Sequence, residues 1–509
     1  MDLEAWYICL AKYMYLLKSW RLFEMYINRR FYEKYVSTRD VELLHEYSLR
    51  VLKEVGISFA SEEALDIFRE HGATVEGNIV KIDEALLNKA LATAPKSFTV
   101  TTSAGETAIG ERFKPKTVGC YGPSKFLFED DTYRAALLPD VVKFLKLMHT
   151  SDVTDFVNNS AYDTPDLDKN QDNFYIPQVA LCLKYSDRPT YGNVANSLNV
   201  RNQSLKDAAK DIVKLYKEFY DIWDRPVLLT NCCALSPLGY SYEVLDNIMG
   251  LVEEGQPVTI ITCSMTNLTA PAALMGSVIQ DNATILAGII LTQLINPGVG
   301  VIYGTVSSPT DMRKTAIAIG SPEAQLIQMS TLALGRYYGL PVRTGVSGSD
   351  SLKPDYQAGV ETMTTLMTTY LGKSDFALNN AGILQSYAVG SYEKFVLDEE
   401  VNRILMRLNK GIDISDTHAS KVFEEIKKAG PLGNYLSGRT PKEYRNEHHL
   451  SAIFNKTAGD PSVIFEEVGD IRQRATKQVE ERLANYKAPN LTKKQQDMLN
   501  RYLPESEKF

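Results

Sequence analysis

Residues 341–361 read PVRTGVSGSDSLKPDYQAGVE, and this stretch decides the fold. A short β-branched run comes first, a loop of small polar residues follows, and Pro354 and Asp355 stand before a helical pattern. Strand, polar loop and helix is the unit in which α/β enzymes present chemistry at the carboxyl end of a strand. The loop has almost no apolar side chain to bury. It is either a plain connecting turn or part of a site that contains Asp350.

The same unit recurs along the chain from about residue 117 onward. Eight predicted strands alternate with helices: TVGCY, DFVNNSAY, RPTYGNVA, PVLLTNCCAL, PVTIITCSM, VGVIYGTVSS, PVRTGVSG and FALNNAGIL. This count and spacing predict an α/β protein with a (β/α)8 TIM barrel. A doubly wound open sheet is the alternative fold, but no GxGxxG fingerprint follows any of these strands.

The barrel is predicted to lie between two helical regions. Residues 1–37 form an N-terminal leader, whose charged residues interrupt the apolar runs that a membrane span or a signal peptide requires. This leader is either an amphipathic docking helix or a loosely attached segment. Residues 38–110 are predicted as a helical cap region, residues 111–390 as the barrel, and residues 391–509 as a C-terminal helical extension. That extension is either a surface layer or an oligomer-forming element.

Composition excludes several classes of function. The net charge of −8 argues against nucleic acid as the main partner, because a nucleic-acid-binding surface needs an excess of basic residues. The six cysteines form no CxxC motif, which indicates reduced thiols and a cytoplasmic protein. The six histidines form neither HxxxH nor HExxH, which argues against a bound metal. There is no Walker A motif and no GxSxG nucleophile elbow.

Acidic and aromatic residues near the predicted strand ends are the candidate site residues. Asp350 lies in a loop with no apolar stripe to join, whereas Glu323 could equally be a helix-dipole residue. Tyrosine is abundant, with 28 copies, and aromatic faces at a barrel mouth suit a quaternary ammonium, although rim packing is the simpler reading of any single ring. The wider candidate set is Asp311, Glu323, Asp350 and Gln357, with Tyr121, Phe126, Tyr162 and Tyr303 as aromatic residues.

Several motifs in a shared order resemble those of the trimethylamine methyltransferase superfamily, in particular its non-pyrrolysine members such as glycine betaine:corrinoid methyltransferases. They are LHEYSLRVLKEVGISF, GCYGPSKFLFEDDTYRAALLPD, TAPAALMGSVIQDNA, GSPEAQ and GLPVRTGVSGSDSLKPDYQAGVE. The resemblance covers roughly residues 40–480. It implies a TIM barrel that docks a separate corrinoid protein and passes a methyl group to Co(I). Trimethylamine enzymes of the family have pyrrolysine in the segment that corresponds to SGSDSLKPD, where this chain has standard residues, with Gly348 close to the place.

The absence of pyrrolysine favours a quaternary amine as the substrate, because removal of one methyl group from it leaves a neutral amine. The hypothesis is a methyltransferase for glycine betaine or a related betaine, with Asp350 balancing the charge of the cation. A substrate carboxylate would need a basic partner, and Arg313, Arg343 and Lys353 are all available. No intrinsic cofactor is expected, the corrinoid is carried by the partner, no membrane is involved, and a homo-oligomer is expected. The alternatives are a non-catalytic betaine-binding barrel and a corrinoid-independent lyase.

Overall fold

The computed structural model describes residues 31–111, 114–128, 130–158, 164–166, 175–192, 200–345, 347–436 and 439–509. The strands in this part of the chain are β1 (Ile57–Phe59), β2 (Thr74–Glu76), β3 (Ile79–Lys81), β4 (Phe98–Thr102), β5 (Gly105–Ile109), β6 (Lys116–Thr117), β7 (Lys125–Leu127), β8 (Tyr133–Ala135), β9 (Val157–Asn158), β10 (Thr190–Gly192), β11 (Leu228–Cys233), β12 (Gly239–Tyr240), β13 (Val258–Thr262), β14 (Val301–Thr305), β15 (Thr310–Asp311), β16 (Ala316–Ile317), β17 (Val342–Arg343), β18 (Phe376–Ala377), β19 (Ile383–Leu384) and β20 (Val389–Ser391).

The α-helices in the same ranges are α1 (Thr38–Arg50), α2 (Glu62–Glu70), α3 (Glu84–Thr93), α4 (Leu138–His149), α5 (Ile176–Tyr185), α6 (Leu205–Tyr220), α7 (Tyr242–Glu253), α8 (Leu274–Ile295), α9 (Pro322–Tyr337), α10 (Tyr356–Leu371), α11 (Tyr392–Lys410), α12 (Asp416–Ala429), α13 (Pro461–Val468), α14 (Ile471–Ala484) and α15 (Lys493–Leu499). Many begin at a Ser, Thr or Asp whose side chain accepts a hydrogen bond from a first-turn amide, as Ser321 does at α9.

Eight parallel strands form one curled sheet in the order β6-β18-β17-β14-β13-β11-β10-β9. Each lies in one of the eight segments predicted from the sequence, so the α/β class and the parallel strands are confirmed. The edge strands β6 and β9 have only two residues each. They meet through a single parallel bridge between Val118 and Phe156, where the Phe156 amide donates to the Thr117 carbonyl at 2.9 Å. The structure therefore shows a curled sheet joined by one bridge, without a continuous ladder around the ring.

The two faces of this sheet are buried against different partners. Side chains on the concave face pack together inside the curl, and they include Phe156, Tyr191, Leu229, Ile302 and Phe376. Side chains on the convex face pack against the surrounding helices and include Val258, Ile260, Val301, Tyr303 and Val342. The hairpin of β4 and β5 covers the amino ends of the strands, because Val100 and Ile109 join the inner cluster. The carboxyl ends are left for loops.

The region predicted as a helical cap contains more strand than the sequence pattern indicated. Helices α1, α2 and α3 are where the sequence predicted them, but β1, β2 and β3 form a second sheet with β12. The strands of this sheet have two or three residues each, which is too short for a recognisable alternation in the sequence. The predicted leader up to residue 30 lies outside the described residues.

Helix α8 is the one helix among the described residues that is long and apolar enough to span a membrane, and 78% of its most apolar window is buried in the protein. It packs between α1, α3, α9 and the convex face of the sheet. Its composition therefore matches its place in the core.

Candidate functional site

The candidate site lies inside the curled sheet at the carboxyl ends of the parallel strands. Five side chains meet there: Tyr121 follows β6, Cys233 ends β11, Cys263 follows β13, Arg343 ends β17, and Tyr387 lies in the turn between β19 and β20. Arg343 interacts electrostatically with Cys233, Cys263 and Tyr387, which places these groups close together. In parallel α/β sheets this end of the strands is where ligands bind.

Arg343 is the central group of the site. It has no exposed surface, and its Nη1 donates a hydrogen bond to the Thr305 carbonyl at 2.7 Å. Within the described residues its Nε and Nη2 have no partner. The neighbouring strand makes room for the side chain at Gly304, where an added Cβ would lie 2.9 Å from the Arg343 Cβ. Because a buried cation with unused donors is costly, this position is suited to an anion.

Three tyrosines belong to the same cluster as Arg343. Tyr191 and Tyr387 interact electrostatically with Arg343, and Tyr121 interacts with Tyr191. The rings of Tyr121 and Tyr191 meet edge to face, with centroids 5.9 Å apart, and the Tyr191 hydroxyl donates to Asn231 Oδ1 at 3.1 Å. The hydroxyl of Tyr121 is buried beside Asn231, and that of Tyr387 is buried with no hydrogen-bond partner among the described residues. Burial raises the pKa of all three tyrosines, so they are hydrogen-bond donors at neutral pH.

Burial favours the protonated form of the two thiols in the site. Burial raises the pKa of Cys233 to about 12 and also raises the pKa of Cys263. Arg343 opposes the shift in both cases, but burial has the larger effect. Since the thiolate is the reactive form of cysteine, both side chains act as small, weakly polar walls.

Asp350 binds the protein's own groups. Its carboxylate accepts hydrogen bonds from the amides of Ile319 at 3.2 Å and Gly320 at 3.1 Å, and from the Ser386 hydroxyl. Ser386 is the middle of three consecutive residues with positive φ, from Gln385 to Tyr387. Such a turn is strained for residues other than glycine, and its neighbours must hold it in place. Asp350 thus fixes the turn that carries Tyr387.

A second buried carboxylate lies behind the strand ends, between α8 and the sheet. Asp281 Oδ2 accepts hydrogen bonds from Ser264 at 3.2 Å and from Thr305 at 3.3 Å, both through their hydroxyls. Burial raises the pKa of Asp281 to about 6. Its partner Thr305 also supplies the carbonyl that binds Arg343, so Asp281 supports the outer side of the site.

The other predicted polar residues lie outside this cluster. Asp311 pairs with Arg313 at 2.8 Å, and the hydrogen bond from Arg313 lowers the pKa of Asp311 to about 2. Glu323 is exposed in the first turn of α9. Gln357 is also exposed and donates to Glu361 at 2.9 Å. Gly348 is buried in the loop after β17.

The predicted aromatic residues are distributed over three places. Tyr121 is in the site. Tyr303 points to the convex face, where its hydroxyl donates to Asn282 Oδ1 at 2.8 Å, because side chains alternate along β14. Phe126 is buried away from the site in β7, with its ring 5.2 Å from that of Phe144. Tyr162 lies outside the described residues.

Of the three candidate partners for a substrate carboxylate, Arg343 is the one that keeps unused donors inside the site. Arg313 is exposed and paired with Asp311, and Lys353 pairs with Asp131. Sequence reasoning did not select Tyr387, because the turn after β19 follows no strand-loop-helix pattern. The described residues contain no group of three His, Cys, Asp or Glu side chains that could hold a metal ion.

Comparison with known proteins gives consistent matches over nearly the whole chain. The family model described as "Trimethylamine methyltransferase (MTTB)" matches residues 20–508. A proline betaine:corrinoid methyltransferase of Eubacterium limosum is 80% identical over 485 residues, which is 95% of this chain and 100% of the relative. An L-carnitine:corrinoid methyltransferase of the same organism is 42% identical, covering 92% of this chain and 97% of the relative. A glycine betaine methyltransferase of Desulfitobacterium hafniense (strain Y51) is 34% identical, covering 90% and 94%.

A solved structure is also similar in fold. The hydroxylamine complex of MtmB aligns with a TM-score of 0.51 and 12% identity, and the alignment covers 88% of both chains. This likeness supports an α/β architecture and carries no information about substrate.

Proposed function

Because the chain belongs to the trimethylamine methyltransferase family, we propose that its substrate is a betaine whose carboxylate binds Arg343. The activity itself follows from the close relatives: the protein is a methyltransferase that demethylates a quaternary amine and passes the methyl group to Co(I) of a separate corrinoid protein. The observation that carries the proposal is the buried Arg343 guanidinium, whose Nε and Nη2 lack partners among the described residues.

Arg343 and Tyr387 would bind the carboxylate together. Two free guanidinium donors match the two oxygens of a carboxylate, and hydrogen bonds between charged groups are among the stronger ones in proteins. The buried Tyr387 hydroxyl adds a neutral donor near the same charge. Betaines with a carboxylate should therefore bind better than choline, which has a hydroxyl in its place.

The tyrosine rings would face the cationic end of the substrate. A quaternary ammonium cannot donate a hydrogen bond, and aromatic faces attract it through the ring quadrupole. Tyr121 and Tyr191 meet edge to face next to Arg343. The aromatic rings would therefore bind the quaternary ammonium of the substrate while the guanidinium binds its carboxylate. Asp350 has a positioning role in this arrangement, because its carboxylate holds the Tyr387 turn.

Methyl transfer from such a substrate needs no acid or base. As the methyl group passes to Co(I), the N–CH3 electron pair stays on nitrogen, and the product is a neutral tertiary amine. The chain's own residues bind the substrate, orient one methyl group towards the open end of the sheet and exclude water. The protonated thiols of Cys233 and Cys263 are compatible with direct transfer without a protein nucleophile.

Among betaines, proline betaine is the first substrate to test. The sequence placed glycine betaine first, and the 80% identity to a proline betaine:corrinoid methyltransferase moves proline betaine ahead of it. Glycine betaine and L-carnitine come next, because relatives that act on them are 34% and 42% identical.

The experiment is a substrate panel with a reduced cognate corrinoid protein, followed by methyl-Co(III) absorbance and mass spectrometry of the demethylated amine. Proline betaine should give the highest kcat/KM, and choline and trimethylamine should be poor substrates. Equal rates with choline and proline betaine would contradict carboxylate recognition. Binding without methyl transfer would support a non-catalytic betaine-binding barrel, and turnover without the corrinoid protein would support a lyase.

The proposal also includes three expectations from the sequence. The curled sheet belongs to a (β/α)8 barrel, and the bridge between Val118 and Phe156 supports this. The protein is cytoplasmic, in keeping with its few cysteines and the lack of a CxxC motif. It assembles with copies of itself.

A further inference from the structure

Residues 411–450 form an arm that has no core of its own. It contains α12 and a short 3-10 helix, Lys442–Glu447. None of its described residues is buried. A segment of this size does not keep a helical structure in water without packing, because an isolated helix of 14 residues is only marginally stable. The arm therefore needs a surface to pack against.

Large apolar side chains are exposed along the arm, beside its charged residues. Leu432 and Leu436 are 107% and 92% exposed, and Ile414 is 89% exposed. On α12, Ala419, Phe423 and Ile426 follow the spacing of one helix face. The full set of large exposed apolar residues in the arm is Ile412, Ile414, Phe423, Ile426, Leu432, Tyr435, Leu436 and Leu450. A concentration of large exposed apolar residues in one segment indicates an interaction surface.

The base of the arm is fixed to the body of the protein. Arg407, near the end of α11, donates from Nε to the Glu447 carbonyl at 2.7 Å and from Nη1 to the Gly411 carbonyl at 2.6 Å. His449 also contacts Glu400 at 2.6 Å. The chain thus leaves and returns at one point, and the arm projects from it as a unit.

The arm starts at the end of the sheet that is opposite the candidate site. Four residues before Arg407, Arg403 pairs with Asp152 at 2.6 Å, and Asp152 lies in the connection from α4 into β9. That connection leads into the amino end of β9, whereas Arg343 and Tyr387 lie at the carboxyl ends. A corrinoid protein that delivers cobalt to the site must approach the carboxyl ends, so it is not the partner that covers the base of the arm.

The charge of the arm is compatible with binding to a second copy of this chain. It contains six acidic residues (Asp413, Asp416, Glu424, Glu425, Glu443, Glu447) and six basic residues (Lys421, Lys427, Lys428, Arg439, Lys442, Arg445), so its net charge is zero in a chain of −8. A balanced surface can face a copy of itself without repulsion. Specific interfaces use about 20–30 residues on each side, and the arm is long enough to provide them. We infer that the arm binds a second copy of this chain.

The test is the mass of the full-length protein in solution, measured by light scattering or analytical ultracentrifugation at micromolar concentration. The wild type should have at least twice the chain mass of 56.9 kDa. A double variant, Phe423→Glu with Ile426→Glu, should shift to the mass of one chain. The matched control is Trp223→Glu, which places a charge at an equally exposed apolar residue outside the arm and should leave the mass unchanged.

A second variant guards against misfolding of the first. Because Arg407 holds Gly411 and Glu447 together, residues 412–446 can be replaced by a short Gly-Ser linker, and the product should be monomeric and still unfold in one cooperative transition. A monomeric wild type would overturn the inference. So would an oligomer that survives removal of the arm, or crosslinks from the arm to the corrinoid protein with none between copies of this chain.

Discussion

Substituting Arg343 by glutamine should remove the charged donors that recognise the carboxylate. Arg343→Gln deletes the guanidinium, including the two donors that lack partners among the described residues and the Nη1 bond to the Thr305 carbonyl, and it leaves a shorter, uncharged side chain. A hydrogen bond to a charged group contributes about 1.5–3 kcal/mol, so two of them contribute at least about 3 kcal/mol. At about 1.4 kcal/mol per factor of ten, kcat/KM for proline betaine should fall at least about a hundredfold.

The assay compares proline betaine with choline in the same variant, by initial rates of methyl-Co(III) formation. Choline has no carboxylate for Arg343 to bind. Its kcat/KM should therefore change by less than about threefold, on the same scale of about 1.4 kcal/mol per factor of ten. The matched control is Arg313→Gln, which removes an exposed guanidinium paired with Asp311 and should leave both substrates unaffected. Folding is checked by thermal unfolding, and the variant should still unfold in one cooperative transition, with some loss of stability because it lacks the hydrogen bond to the Thr305 carbonyl and part of a buried side chain.

Two results would refute this reasoning. If Arg343→Gln lost activity equally with choline and proline betaine, Arg343 would support the site without contacting the carboxylate. If proline betaine turnover were unchanged, the substrate carboxylate would bind elsewhere.

Three further predictions concern Tyr387, Asp350 and Asp281. Tyr387→Phe deletes one hydroxyl donor, whose hydrogen bond contributes about 1.4 kcal/mol. In steady-state kinetics, KM for proline betaine should rise about tenfold with little change in kcat. An unchanged KM would show that Tyr387 does not contact the substrate. Asp350→Asn weakens the hydrogen bonds from Ile319, Gly320 and Ser386. It should raise KM and lower the free energy of unfolding by about 1–3 kcal/mol in denaturant titrations. Loss of kcat alone would indicate a chemical role for Asp350. Burial raises the pKa of Asp281 to about 6, so the folded state holds this proton more tightly than the unfolded state. The free energy of unfolding should therefore fall by about 3 kcal/mol as the pH rises from about 3 to about 7, and Asp281→Asn should abolish that slope.

The sequence predicted the parallel strands because the features that indicate them lie within short stretches of the chain. Pro226, Pro257 and Pro341 each precede a β-branched run, and each run is followed by a polar loop and a helix. These features depend on neighbours within a few residues. The helices and the eight strands of the curled sheet were therefore predictable, whereas the single bridge that joins the regions of β6 and β9 was not.

The sequence could not decide which face a strand residue occupies. Tyr303 lies at a strand end, as expected, but one position along the strand separates the concave face from the convex face. Gly304 faces Arg343, and Tyr303 therefore faces α8 and α9. The same one-residue alternation places Arg343 inside the sheet.

The roles of charged residues depend on partners that are distant in the sequence. Asp350 binds amides about 30 residues before it and a hydroxyl 36 residues after it, which no local pattern indicates. Lys353 is paired with Asp131, 222 residues away. Only the folded chain separates these paired groups from Arg343, whose remaining donors lack partners among the described residues.

The most direct test of the account is a single-turnover reaction with proline betaine that has isotopically labelled N-methyl groups. Mixed with this protein and a reduced cognate corrinoid protein, it should give one labelled methyl group on cobalt for each N-methylproline formed. The label should appear at least about a hundredfold more slowly with Arg343→Gln, in line with the loss of at least about 3 kcal/mol of carboxylate binding. Labelled methyl absent from cobalt with every betaine tested, or N-methylproline formed without the corrinoid protein, would contradict the account.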